Sequence, residues 1–213
     1  MKAENLRIPA LAVTILGWVV VVATGIAAFF NAVWLVAYTQ LAESPWMAVT
    51  SGFAAAIGWL AFFPSIIAVL VWTYLAHSNL HKAGLNGLNY APAWATLSIL
   101  VPIANLFVPF RAMRELANRS TGEPEELAEA DVQDVFSWWG CWLGSMLIGT
   151  FLAYTTLVEV TPGLYITTPF WGTLVLVICG NLLTSGAAFF LIRTVKVVTV
   201  GQKEGVADLG TFE

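Results

Sequence analysis

The sequence predicts an all-α integral membrane protein with four transmembrane helices and one proline-broken helix that is re-entrant or interfacial. Three observations lead to this fold class. Of the 213 residues, 59% are hydrophobic and only 10% are charged, whereas a soluble domain carries about 25% charged residues. Four apolar runs are long enough to cross a hydrocarbon core. Finally, two of the loops that connect these runs contain no lysine or arginine.

Four segments reach or exceed the ~20 apolar residues that a membrane crossing needs. They lie at about 9–38, 47–76, 136–157 and 168–192. The first is longer than the apolar region of a cleavable signal peptide, which has about 7–15 residues, so we expect an uncleaved span. The four spans predict a single helical membrane domain over residues 1–203, followed by a short polar tail at 204–213.

Tryptophans stand at the beginning of three predicted spans. Trp46 and Trp171 begin the second and fourth spans, and Trp138 and Trp139 begin the third. Indole rings favour the boundary between hydrocarbon and water. We therefore expect these four side chains to form interfacial belts.

The segment between the second and third spans is apolar but interrupted. Residues 92–110 contain Pro102 near the middle and Pro109 close to the end. Each proline removes a backbone donor and disrupts helical hydrogen bonding. Irregular backbone at membrane depth is tolerated only where protein or water satisfies it. Hydropathy alone leaves open whether this segment crosses the membrane or turns back.

The nine lysine and arginine residues decide between these alternatives, because basic residues collect on the cytoplasmic side. If residues 92–110 cross, the five resulting spans divide the nine into three and six. If the segment returns, or lies in the interface, all nine fall on one side, and the outer loops at 39–46 and 158–167 contain none. We therefore predict that both termini and the loop at 111–135 are cytoplasmic.

The predicted cytoplasmic loop contains a signal for the start of a helix. In the stretch TGEPEELAEADVQDVF, Pro124 suits a first helical turn, and the acidic residues around it suit the positive end of a helix dipole. The acidic residues themselves have two interpretations. They form a solvated face, or they dock a basic partner.

The broken segment is the best candidate for a ligand or partner site. An unwound turn offers free backbone groups, which Asn105 could satisfy, and arginines that follow it could meet lipid phosphate or an anionic ligand. The alternative is structural: Asn105 caps the break and the arginines anchor at headgroups. The candidate residues are Pro102, Asn105, Pro109, Arg111, Arg114 and Glu115.

Small residues on the last two spans predict close helix packing. Gly140 and Gly144 form a G-x-x-x-G pair, and Gly180 and Thr184 share one face of the last span. Such faces let helix backbones approach each other. The sequence does not indicate whether the neighbouring helix belongs to the same chain.

Catalytic and metal-binding patterns are weak. His77 and His81 are four residues apart and share a helix face, but a zinc site needs a third and usually a fourth ligand. No nucleophile and base are placed together in a recognisable pattern. The sequence therefore predicts no enzyme and no cofactor, with these two histidines as weak metal candidates.

The middle of the chain contains a series of short motifs. They are Asn79-Leu80, Pro92 with Trp94, the turn from Pro102 to Asn105, Pro109, the R-x-x-R-E of Arg111 to Glu115, and Trp138-Trp139. In these motifs the chain resembles a bacterial membrane family known as domain of unknown function 4328. The likeness is clearest over residues 78–120 and extends over about 70–150. It departs from the family pattern at Ala117, where a tryptophan is common. The resemblance implies a bacterial inner-membrane protein and implies no activity.

Two functions remain open from the sequence. The favoured one is a non-enzymatic accessory subunit, scaffold or assembly factor of a membrane complex, with both termini in the cytoplasm. Its expected partners are the lipid bilayer and either another membrane protein or further copies of the chain. The alternative is a small transporter or ligand-gated permeation protein that uses the broken helix at Pro102 to Asn105. The net charge of −4 gives no indication of nucleic-acid binding.

Overall fold

The computed structural model describes residues 4–37, 45–159, 161 and 168–209, and all regular structure in these residues is helical. Four long helices are apolar enough to span a membrane. The long helices are α1, α2, α5 and α6, and α3 and α4 are shorter. Their bounds are α1 Glu4–Val36, α2 Pro45–Lys82, α3 Pro92–Leu97, α4 Val108–Ser120, α5 Gln133–Glu159 and α6 Phe170–Leu209.

The long helices extend beyond the predicted apolar spans, most of all at the end of the chain. α6 continues for more than four turns after residue 192, where the sequence becomes polar. Helix formation persists there because Val195 and Val198 are buried against other elements. Much of the predicted polar tail, up to Leu209, is therefore helical.

The four long helices run antiparallel in chain order and pack as an open bundle. α1 packs extensively against both α2 and α6, and α6 packs against α5, whereas α2 and α5 have no comparable contact. Contacts between α5 and α6 follow an antiparallel register, with Gly144 against Leu183 and Ile148 against Gly180. Arg193 also forms an ion pair with Asp134 in this register, at 3.0 Å.

The hydrophobic core lies at one end of the bundle. It contains Leu6 from the start of α1, Leu80 from the end of α2, Leu116 from α4, Val135 from the start of α5 and Val198 from the late part of α6. The connecting segment from residue 83 to residue 132 therefore leaves the bundle and rejoins it at the same end.

The prolines divide that connecting segment into short pieces. α3 ends at Leu97, and two single 3₁₀ turns follow at Ser98–Leu100 and Ala104–Leu106. α4 begins at Val108, with Pro109 in its first turn, where a missing backbone donor costs nothing. Residues 92–107 thus form one short helix and two 3₁₀ turns rather than one straight helix.

Two predictions about this end of the bundle are wrong. Trp138 and Trp139 are each only 6% exposed and belong to the core, whereas Trp46 and Trp171 are 73% and 64% exposed. The helix expected to begin at Pro124 is a single 3₁₀ turn at Glu125–Leu127, and the long helix begins at Gln133.

Candidate functional site

α4 packs into the end of the bundle with one apolar face. Its polar residues form hydrogen bonds with other segments of the same chain. Eight of its 13 residues are buried. The apolar ones include Met113 and Leu116, which lie in the core. We use the name cap for α4 together with the two segments that its polar side chains bind, residues 83–91 and 121–132.

Glu115 holds the first of these segments. Its carboxylate has no exposed surface and accepts hydrogen bonds from the backbone amides of Asn89, at 2.7 Å, and Tyr90, at 3.4 Å. Burial raises the pKa of Glu115, and the two amide hydrogen bonds partly offset that rise. The carboxylate is therefore a structural acceptor for backbone donors that would otherwise be unpaired.

Asn118 and Arg114 hold the second segment. The side-chain amide of Asn118 donates to the carbonyl oxygens of Leu127, Ala128 and Ala130, each at 3.0 Å. Arg114 Nε also donates to the Ala130 carbonyl, at 3.3 Å, and its guanidinium lies 5.2 Å from the centre of the Phe110 ring. These bonds fix the backbone of an otherwise irregular loop.

A buried polar network joins the cap to the two long helices beside it. Gln202 of α6 donates to the Ala76 carbonyl of α2 and to the Ser120 hydroxyl of α4, both at 3.0 Å. The Asn79 side chain donates to the side-chain oxygen Oε1 of Gln202 at 3.3 Å. At the neighbouring Gly201, an added Cβ would collide with the Ser120 carbonyl oxygen, so the two backbones touch.

The six candidate residues of the broken segment lie in different surroundings. Arg114 and Glu115 form hydrogen bonds within the cap. Arg111 is exposed beside the Tyr90 side chain. Pro102 is exposed and Pro109 is buried in the first turn of α4. The side-chain oxygen Oδ1 of Asn105 is buried without a hydrogen-bond partner.

The two histidines lie in different environments. His77 has no exposed surface and neither ring nitrogen has a hydrogen-bond partner. His81 is exposed, and its Nδ1 lies 3.0 Å from the His77 carbonyl oxygen. No group of three potential metal-binding side chains occurs among the residues that the structure describes.

The small residues of the last two spans also differ in their surroundings. A Cβ added at Gly144 would lie 2.9 Å from the Leu183 Cδ1 atom, and one at Gly180 would lie 3.3 Å from the Ile148 Cγ2 atom. Gly140 has open space around it. Thr184 donates its hydroxyl to the Gly180 carbonyl and faces the interior of the bundle.

A cavity of about 470 Å³ lies between all four long helices, on the side where α2 and α5 do not pack together. We call it the central cavity. A smaller cavity of about 80 Å³ adjoins it toward the cap, and Ile99 of the broken segment lines this smaller space. The rings of Phe62 and Trp142 stack between α2 and α5 with centres 6.2 Å apart and line both cavities.

Sequence reasoning missed the central cavity, apart from Gly180 and Thr184, which it assigned to packing. The available signal was a set of small residues on two further helices, α2 and α5. They are Ala54, Ala55, Gly58, Ser145 and Gly149. Small residues predict close packing as readily as an open space, and the sequence does not separate the two.

Comparison with known proteins yields one match. A family model described as "Domain of unknown function (DUF4328)" matches residues 38–200, a wider range than the resemblance at about 70–150 suggested. Searches of curated proteins and of solved structures found no match to the chain.

Proposed function

The chain belongs to the DUF4328 family, and on this basis we propose that it is a multi-pass bacterial inner-membrane protein that acts as a non-enzymatic accessory subunit or scaffold. Four helices of suitable length and hydropathy support the membrane location. The exposed side chains of the broken segment support it further, since Leu100, Ile103 and Phe107 are 67%, 77% and 58% exposed. Lipid accommodates such side chains without the cost of exposing them to water, so this segment is re-entrant or interfacial.

The proposed topology has both termini in the cytoplasm. The segment from residue 83 to residue 132 leaves and rejoins the bundle at the end that also carries Arg7, Arg193 and Lys196. The predicted outer loops contain no basic residue, and only a few of their residues are described by the structure. This arrangement agrees with the preference of basic residues for the cytoplasmic side.

Cysteine labelling tests the topology. Single cysteines replace Thr161, Gly122 or Lys203, and also Glu43, which lies outside the described residues, in a background without Cys141 and Cys179. A membrane-impermeant thiol reagent added to spheroplasts should label positions 43 and 161 and spare 122 and 203. Labelling of 122 and 203 with protection of 161 would show that residues 92–110 cross the membrane.

The observation that carries the accessory role is the fixed backbone of residues 121–132. Asn118 binds three carbonyl oxygens of this segment, and Arg114 binds one of them again. Exposed carboxylates therefore project from a rigid base rather than from a flexible loop. They belong to Glu123, Glu125, Glu126, Glu129 and Asp131. A preorganised acidic surface suits docking of a basic segment of another protein, because little ordering entropy is lost on binding.

Purification in mild detergent from native membranes tests this role. The wild-type chain should co-purify with a partner of defined stoichiometry. Replacing Glu123, Glu125, Glu126 and Glu129 together by glutamine should lose the partner, whereas the control Glu204→Gln, on exposed helix elsewhere, should retain it. A wild-type chain that purifies alone contradicts the accessory role, and a partner retained by the fourfold variant contradicts the acidic docking surface.

One observation favours transport as a second candidate function. The side-chain oxygen Oδ1 of Asn105 is a buried acceptor without a partner, and such a group is costly unless something binds it. A solute that donates a hydrogen bond there would raise the melting temperature of the wild-type protein and not of Asn105→Leu. Equal shifts in both proteins, or none, would count against this candidate.

A further inference from the structure

We propose that the central cavity binds a single hydrocarbon chain of a membrane lipid, an inference that rests on the membrane location proposed above. The cavity lies on the side of the bundle away from the cap, since its lining on α2 extends from Ala54 to Phe62, near the start of that helix. On α5 its lining extends from Trp142 to Leu152, and on α6 from Val177 to Thr184. At 1.5 Å of rise per residue these ranges correspond to about 15 Å and about 10 Å. That length is close to half of a hydrocarbon core of ~30 Å, as one lipid chain requires.

The lining offers few free hydrogen-bond donors despite its polar residues. Thr24, Ser145 and Thr184 donate their hydroxyls to carbonyl oxygens of their own helices, at 2.8, 2.9 and 2.8 Å. The amide of Asn181 likewise donates to the Val177 carbonyl, at 2.9 Å. A polar solute would therefore lose its hydration without gaining donors in return. A hydrocarbon chain has no such cost.

The stacked rings of Phe62 and Trp142, which line both cavities, also offer no hydrogen-bonding group to a ligand in the central cavity. The Trp142 indole nitrogen has no hydrogen-bond partner, but its surface is fully covered. The Phe62 ring stacked on it presents only carbon atoms. The end of the central cavity that faces the cap is thus closed by two rings, which would stop the terminal methyl group of a chain.

The size of the cavity suits a small ligand such as one lipid chain. Its volume is about 470 Å³. The same volume lies within the ~300–1,000 Å³ of small-ligand sites. Since α2 and α5 lack extensive contact, the gap between them gives lateral access from the surrounding lipid.

Photo-crosslinking in nanodiscs tests the proposal. The protein is reconstituted with phosphatidylethanolamine and phosphatidylglycerol that carry a diazirine in one acyl chain, and labelled residues are identified by mass spectrometry. Met146 lines the cavity, whereas its neighbour Leu147 is 72% exposed and does not. Labelling at Met146 should exceed labelling at Leu147 by about tenfold, equivalent to ~1.4 kcal/mol.

Two matched variants separate the cavity from the general lipid surface. Gly149 lines the cavity and Gly140, on the same helix, does not, and an added Cβ meets no atom within 4 Å at either position. Gly149→Phe should reduce labelling at Met146 to the level at Leu147, and Gly140→Phe should leave it unchanged. Equal labelling of both residues in the wild type, or labelling unaffected by Gly149→Phe, overturns the proposal.

Two further outcomes are distinguishable. If Met146 is protected in the wild type by a co-purified protein or a second copy, the cavity is covered by a protein and not by a lipid chain. If neither Met146 nor Leu147 is labelled, the chain is not in the bilayer, and the proposed membrane location itself fails.

Discussion

Replacing Gly201 by alanine should destabilise the protein, although the same change is favourable at most helix positions. Gly201 lies inside α6, and a Cβ at this position would collide with the Ser120 carbonyl oxygen and lie 3.0 Å from its carbonyl carbon. Both atoms belong to the backbone of α4 and cannot rotate away. The only relief is a shift of α6 relative to α4.

The magnitude follows from three contributions. Alanine gains about 1 kcal/mol over glycine in a helix interior, while overpacking costs about 1–3 kcal/mol. A shift of α6 also lengthens the hydrogen bond from Gln202 to Ser120, now 3.0 Å, and a typical bond of this kind contributes about 1 kcal/mol. We expect a net loss of about 1–3 kcal/mol in the free energy of unfolding.

The control is Gly25→Ala in α1, where an added Cβ meets no atom within 4 Å. This variant should be more stable than the wild type by about 0.5–1 kcal/mol. Thermal unfolding in detergent measures both changes, and a chain of this size shifts its melting temperature by about 2–4 °C per kcal/mol. If Gly201→Ala is as stable as Gly25→Ala, α4 and α6 do not touch as described.

The remaining predictions concern the cap and the bundle. Burial raises the pKa of Glu115, so its carboxylate binds a proton more readily in the folded state than in the unfolded state. The free energy of unfolding should therefore fall as the pH rises from the ordinary carboxyl pKa through the raised pKa. The unfolding midpoint of Glu115→Gln should not fall over this pH range. Identical pH profiles of the variant and the wild type would contradict this prediction. Asn118→Ala removes the donor to three carbonyl oxygens. It should speed hydrogen exchange in residues 127–131 while exchange in α1 stays unchanged. Unchanged exchange in both regions would contradict the role of Asn118 in fixing this segment. Gly144→Leu should lower the melting temperature because Leu183 lies against Gly144, whereas Gly140→Leu, in open space, should not; equal values would mean that α5 and α6 are not in contact there.

The long helices could be predicted from the sequence because hydropathy is a local property. A run of about 20 apolar residues predicts a spanning helix without knowledge of its neighbours. The break after Leu97 was likewise predictable, since Pro102 disrupts any helix that contains it. The family was recognisable from the same short motifs around that break.

The cap could not be predicted from the sequence because its burial depends on distant partners. The sequence indicated Arg114 and Glu115 as candidates for binding a ligand or partner, yet Glu115 is paired with amides about 25 positions earlier in the chain. Trp138 and Trp139 have the same hydropathy whether they face lipid headgroups or a protein core. One missed signal was available, since Val195, Val198 and Gln202 share one face of a helix at the spacing i, i+3, i+7.

The dependence of the cap on the last helix has a consequence for biosynthesis. Residues 83–132 leave the ribosome well before Gly201 and Gln202, which complete their packing. Synthesis adds about 5–20 residues per second, so the nascent chain spends several seconds with an incomplete cap. During that interval the carbonyl of Ala76 and the hydroxyl of Ser120 lack their final donor. A chain truncated before residue 195 would lack these donors, and we expect its residues 83–132 to be cleaved by proteases faster than in a chain that includes Gln202.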